Sequence, residues 1–131
     1  MGTRRETNDM AEAEKLLILV THGLDEPEKV TMPLVMAVGA LASEVDAVIG
    51  LQEAGVELAV KGAADTVAAE RYPTLAKVMA DYRELGGRLL ACPLGLAARN
   101  LDATELVENA EVVAAGRFIV EITSASHVLV Y

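Results

Sequence analysis

The chain has very little of several things, and each shortage excludes something. It carries one cysteine, Cys92, in 131 residues. No intramolecular disulfide can form, and no zinc site can rest on thiolates. It has no tryptophan and only four aromatic residues, Tyr72, Tyr82, Phe118 and Tyr131, so the core has to be built from Ala, Val, Leu and Met. Lys and Arg number 11 against 20 Asp and Glu, a net charge of −9. That balance argues against non-specific binding to nucleic acid or to an anionic membrane, both of which call for basic patches. The longest apolar-rich run, residues 32–42, is too short to span a bilayer as a helix. The first fourteen residues, MGTRRETNDMAEAE, are polar throughout and lack the apolar stretch of a signal peptide. They read as a disordered or tag-like tail, with Met10 a candidate alternative start, and residues 15–131 as one domain. The single thiol fits a reducing, cytoplasmic setting.

What is present is apolar sequence in short, punctuated runs. The composition is 53% hydrophobic and 24% charged, which excludes an intrinsically disordered chain. Leu16, Leu17, Ile18, Leu19 and Val20 form an unbroken apolar run stopped by Thr21, His22 and Gly23. Such a run predicts a strand buried on both faces, as in a parallel sheet. Further strands are predicted at 46–51, 88–92, 111–115 and 127–131. Pro27 and Glu28 suit a helix start, and the pattern predicts a helix to about Ser43. That helix is apolar nearly all round, which implies a central position or a subunit contact. Pro33 falls in its first turns or marks a kink. Residues 53–56 read as a turn and 57–60 as ambiguous. Leu75, Val78, Met79, Tyr82 and Leu85 recur at helical spacing over 73–85, and Gly86 and Gly87 end that helix. Residues 93–99 and 116–126 also read as helical. Asp102 to Glu105 has the spacing of a capping box for a short helix through Glu108. Strands alternating with helices imply right-handed crossovers. The expected fold is α/β, a three-layer domain with a mainly parallel five-stranded sheet. Helices this apolar in a small domain also imply a homo-oligomer.

The motif search is short. There is no GxGxxG and no GxxxxGK[ST], so no nucleotide cofactor is indicated, and no HExxH or facing His/Asp/Glu set indicates a metal. Cys92 is the chemical focus. It stands at the carboxyl end of a predicted strand, directly before Pro93 and a short helix. Ligands and reactive groups gather at such strand ends, and thiolates are stabilised at helix starts. The competing reading is an inert buried thiol, common for free cysteine. Arg99, seven residues on, falls about two turns along on roughly the same face, where it can supply positive potential or hold an anionic sulfur substrate. His22 also follows a strand at its carboxyl end. It is either a proton shuttle or orienting group for the Cys92 site, or a loop residue capping its turn. Tyr72 and Tyr82 read as packing residues, His127 as a structural hydrogen-bonding group.

These segments together resemble the DsrE/DsrF-like proteins, which include the TusD-type sulfur-relay subunits. Residues 17–23 with 25–29 resemble the family's first strand and the loop into its helix. Residues 58–62 resemble its mid-chain segment. Residues 86–93 followed by 97–101 resemble the cysteine strand and loop, and 105–113 with 125–131 the C-terminal part. The resemblance implies a flavodoxin-like subunit assembled into trimers or hexamers. It also implies a sulfur carrier or sulfurtransferase-like protein, in which Cys92 accepts a persulfide sulfur and passes it to a partner protein. Arg99 matches a basic residue common in that loop. Some relatives carry a second cysteine where this chain has Leu94 and Gly95, so transfer here has to run between proteins. The alternative is a non-catalytic oligomeric subunit that binds a small ligand or protein. Thiol peroxide reduction is a weaker third reading, because Leu89 stands where a Thr-x-x-Cys motif requires threonine.

Overall fold

The computed structural model describes residues 14–131. The predicted tail lies outside them except for Glu14. Its carbonyl accepts the Asp46 N–H at 3.2 Å and its carboxylate sits 3.5 Å from His127 Nε2.

Five strands, β1 (Lys15–Val20), β2 (Asp46–Leu51), β3 (Leu89–Ala91), β4 (Ala110–Val112) and β5 (His127–Val130), form one sheet in the order β4-β3-β2-β1-β5. Every neighbouring pair is parallel. Four helices connect them: α1 (Pro27–Ala42), α2 (Leu75–Glu84), α3 (Pro93–Ala98) and α4 (Ala115–Ser124). The unbroken apolar runs of β1 and β2 are explained by burial on both faces.

Layering follows from handedness. From β1 to β4 the chain steps across the sheet in one direction, and right-handed crossovers put every connection on one face. There α1, α2 and the segment after β2 cover Ile18, Val20, Ile49, Leu51, Leu89 and Ala91. The last crossover, β4 to β5, runs back past β1, so α4 falls on the opposite face. It covers Leu17, Leu19, Val48 and Leu90 with Phe118. Gly50 lies beneath this helix, and a Cβ there would come within 2.8 Å of both Phe118 and Leu19.

Local chemistry sets the element ends. The helix predicted over 73–85 runs from Leu75 to Glu84 because the Thr74 side chain accepts the Lys77 N–H. Tyr82 is fully buried and donates to the Arg88 carbonyl at 2.6 Å. Pro33 lies inside α1 and is buried, and the helix continues through it to Ala42. Residues 53–59, predicted as a turn followed by an ambiguous stretch, are one 3-10 segment, Glu53–Ala59. It burrows inward: Val56, Leu58 and Ala59 are fully buried, and Gly55 packs against the Val20 carbonyl so closely that a Cβ would fall 2.0 Å from that oxygen. The capping box at Asp102 and Glu105 forms, but the helix it starts is the single turn Ala103–Glu105. The fourth strand begins at Ala110 and is three residues long.

Among the described residues no helix is long and apolar enough to cross a membrane, and no group of three or more His, Cys, Asp or Glu is arranged to hold a metal ion.

Candidate functional site around Cys92

The strand expected over 88–92 ends at Ala91, and Cys92 is the N-cap of α3. Two backbone bonds fix it. Its N–H donates to the Leu51 carbonyl at 3.0 Å, and its carbonyl accepts from Leu96 at 3.2 Å. Pro93 follows at the first helical position, where a missing N–H costs nothing. The connection leaving β3 turns to one face of the sheet, and the connection leaving the adjacent β4 turns to the other. Ligand crevices of open α/β sheets form where neighbouring connections part in this way. Cys92 stands at that point, partly buried, and touches the apolar clusters of both faces.

A surface cavity of about 520 Å³ opens at Cys92, lined by Gln52, Glu53, Leu94, Gly95, Ala98 and Arg99. Its floor is set by close backbone approach. A Cβ on Gly95 would lie 2.9 Å from the Glu53 carbonyl, so α3 rests directly on the segment after β2. Glu53 adopts φ 51°, the left-handed region that a non-glycine residue rarely takes. Leu94 is 79% exposed and forms an apolar lip.

Arg99 is the C-cap of α3, so one short helix carries the thiol at its first end and the cation at its last. Asn100 closes that helix at φ 54°, with its N–H donating to Ala97 and that of Leu101 to Leu96. Asparagine is one of the few residues suited to this position. The guanidinium donates from Nη1 to the Gly95 carbonyl at 3.2 Å, and Nε lies 3.5 Å from Glu57 Oε2.

The structure thus brings Cys92 and Arg99 to one cavity. His22 does not line it. It follows β1, two strands from β3, or about 10 Å at ordinary strand spacing. Its Nδ1 is buried with no hydrogen-bond partner among the described residues. Tyr72, read as a packing residue, is half-buried and donates to Glu28 at 3.3 Å. The negative charge of Glu28 raises the pKa of its hydroxyl. Gln52, Glu53 and Glu57 were missed in the sequence. The signal available for them was position: they follow β2, the strand between β3 and β1, at the carboxyl edge where Cys92 also lies.

Comparison with known proteins agrees with this fold. The chain is 28% identical over 116 residues to an uncharacterised protein, MJ0760, of Methanocaldococcus jannaschii. That alignment covers 88% of this chain and 42% of the relative, so the chain spans less than half of that protein's length. Among solved structures it resembles the ychN protein of E. coli, with a TM-score of 0.76 at 17% identity, over 90% of this chain and 99% of that one. It also resembles MTH1491 of Methanobacterium thermoautotrophicum, a protein of unknown function, with a TM-score of 0.66 at 16% identity and the same coverage of both chains. At these identities the likeness is one of fold. The sequence profile of the DsrE/DsrF-like family matches residues 14–131, nearly the whole chain, and the protein belongs to that family.

Proposed function

We propose that this protein is a sulfur carrier in which Cys92 accepts a persulfide sulfur and passes it to a partner protein. One observation carries the reading: the chain's only thiol lines an open cavity at the carboxyl edge of the sheet, beside the cation Arg99. In the loading step the Cys92 thiolate attacks the outer sulfur of a donor persulfide. A bond forms from Sγ to that sulfur, the donor's S–S bond breaks, and the donor thiolate leaves with the electron pair while the proton stays on the transferred sulfur. An acceptor thiolate then attacks the same outer sulfur and regenerates the Cys92 thiolate. A lone thiol suits this chemistry, because no resolving cysteine is present to form an internal disulfide and expel the sulfur. The exposed Leu94 beside the cavity offers apolar surface to a docking partner.

The test is intact mass spectrometry after incubation with a persulfide donor. The expected result is a gain of one sulfur atom, reversed by reductant and absent in Cys92→Ser. A folded protein that gains no sulfur overturns the reading, as does a Cys92→Ser variant that gains it equally. We also propose that the subunit works as a homo-oligomer in a reducing compartment. Ile119 and Val120 on α4 and Val130 on β5 are each more than half exposed, an apolar face that association would cover.

A further inference from the structure

Glu57 has both carboxylate oxygens engaged. Oε1 accepts the Leu24 N–H at 3.0 Å, and Oε2 lies 3.5 Å from Arg99 Nε. It fits closely against the loop it holds: a Cβ on Gly23 would fall 2.2 Å from Oε1. Glu57 therefore ties the loop after β1 to the end of α3. Arg99 is gripped from its other side by the Gly95 carbonyl. The pair also borders a second hollow of about 280 Å³, lined by Leu24, Val60, Ala63 and Leu101, so Arg99 is the wall between that hollow and the Cys92 cavity.

The charges at this wall have a direction. Among the described residues Arg99 is the one basic residue lining the Cys92 cavity, and Glu57 opposes it at ion-pair distance. Glu53 adds a second carboxylate to the lining. The whole chain carries −9. A cavity with one offset cation in an acidic protein repels small anions.

We infer that Glu57 is a positioning residue for Arg99 and sets the charge preference of the Cys92 cavity, so that the site takes sulfur from uncharged or cationic donors in preference to small anions. The inference rests on the reading of Cys92 as the sulfur-accepting thiol. Sulfur carried on a neutral or basic segment of a partner fits this preference, and a free dianion such as thiosulfate does not.

Alkyl methanethiosulfonates with anionic, neutral and cationic headgroups test it in the folded protein. The Cys92 thiolate attacks the sulfenyl sulfur, a new S–S bond forms, the S–SO₂ bond breaks, and methanesulfinate leaves with the electron pair. With one cysteine in the chain, the mass gain reports a single site. The readout is the ratio of second-order rate constants for the anionic and cationic reagents. Glu57→Gln is expected to raise that ratio about fivefold at low salt, since Arg99, no longer held and offset by Glu57, then presents its charge to the cavity unopposed. Glu57→Asp, which keeps the charge, is expected to stay near wild type. In an Arg99→Gln background the effect of Glu57→Gln is expected to shrink, because it acts through Arg99.

A Glu57→Gln ratio within twofold of wild type overturns the inference, as does an undiminished effect without Arg99. If Glu57→Gln does not fold, Arg99→Gln decides: loss of the cation must lower the ratio, and an unchanged ratio overturns the inference. Failure of persulfide loading removes the sulfur-carrier reading. An unchanged ratio alongside normal loading overturns this inference alone.

Discussion

Glycine in this chain has opposite meanings at different positions, and the difference lies in what a methyl group would meet. Gly55 packs against the backbone of β1, and a Cβ there would fall 2.0 Å from the Val20 carbonyl oxygen. Backbone cannot give way as a side-chain tip can, so Gly55→Ala is expected to cost about 2 kcal/mol or more. Gly39 sits on the exposed face of α1 with nothing within 4 Å of its notional Cβ. There the only large effect is backbone entropy, and Gly39→Ala is expected to stabilise by about 0.5–1 kcal/mol. Urea unfolding of both variants checks the pair: midpoints shifted in opposite directions support the packing described here, and a neutral Gly55→Ala contradicts it. Gly95 belongs with Gly55, since its closeness to the Glu53 carbonyl seats α3 and hence Cys92. Such contacts were invisible in the sequence. A glycine names a need for space or for an unusual φ without naming the neighbour that imposes it.

The elements were far more legible than these contacts. Strands and helices were readable wherever hydrophobic period and length agreed, as in the run at 16–20 and the helical spacing from Leu75 to Tyr82. The position of Cys92 at a strand end was readable too, because Pro93 marks where the strand must stop. The segment after β2 was not. Its apolar residues Val56, Leu58 and Ala59 follow neither period, since a 3-10 segment folded into the interior is shaped by tertiary packing alone. Glu57 lies within it and was missed for that reason.

The element whose hold is most chemical is α4. Among the described residues it alone covers its face of the sheet, and it buries a carboxylate. Glu121 is only 5% exposed; Arg117 Nε donates to it at 2.8 Å, and Lys15 Nζ lies 3.1 Å from its other oxygen. Arg117 and Arg88 reach on to Glu111 of β4. Burial alone would push the Glu121 pKa up, but Arg117 and Lys15 together outweigh it and hold the carboxyl below its ordinary value of 4.5. A depressed carboxyl contributes stability that is complete above the unfolded pKa and disappears as pH falls through the folded one. Glu121→Gln is therefore expected to cost about 1–3 kcal/mol at pH 7. The gap between wild type and variant is expected to close as pH drops below about 4.5. Thermal midpoints from pH 7 to pH 3 measure it; a gap that stays constant to pH 3 would show that the Glu121 charge does not hold α4.

At the scale of the molecule, the single reversal of direction in the strand order has a consequence for assembly. Among the described residues, one face of the sheet receives α1, α2 and the inward 3-10 segment, whereas the other receives α4 alone. Strand β5 lies at the sheet edge beyond β1, with Val128 opposite Leu17 and Val130 opposite Leu19. Those two valines project toward the α4 side, yet they are 40% and 65% exposed while Leu17 is fully buried. The helix covers the inner strands and leaves the edge strand bare. Ile119 and Val120, each 58% exposed, add apolar surface on α4 itself. A chain with net charge −9 repels its own copies at long range, so the proposed association would have to come from this apolar face at contact. Its strength should therefore rise with salt, which screens the repulsion and leaves apolar burial intact. The expected mass in solution is a multiple of 13.8 kDa. Val130→Asp combined with Ile119→Asp is expected to reduce it to that of one chain with the helix content unchanged. Light scattering on the eluting species, at low and high salt, reads both. A wild-type protein that runs as a single chain at micromolar concentration and high salt would leave the apolar face to a different partner, and Leu94 at the Cys92 cavity would then be the nearer guide to where that partner docks.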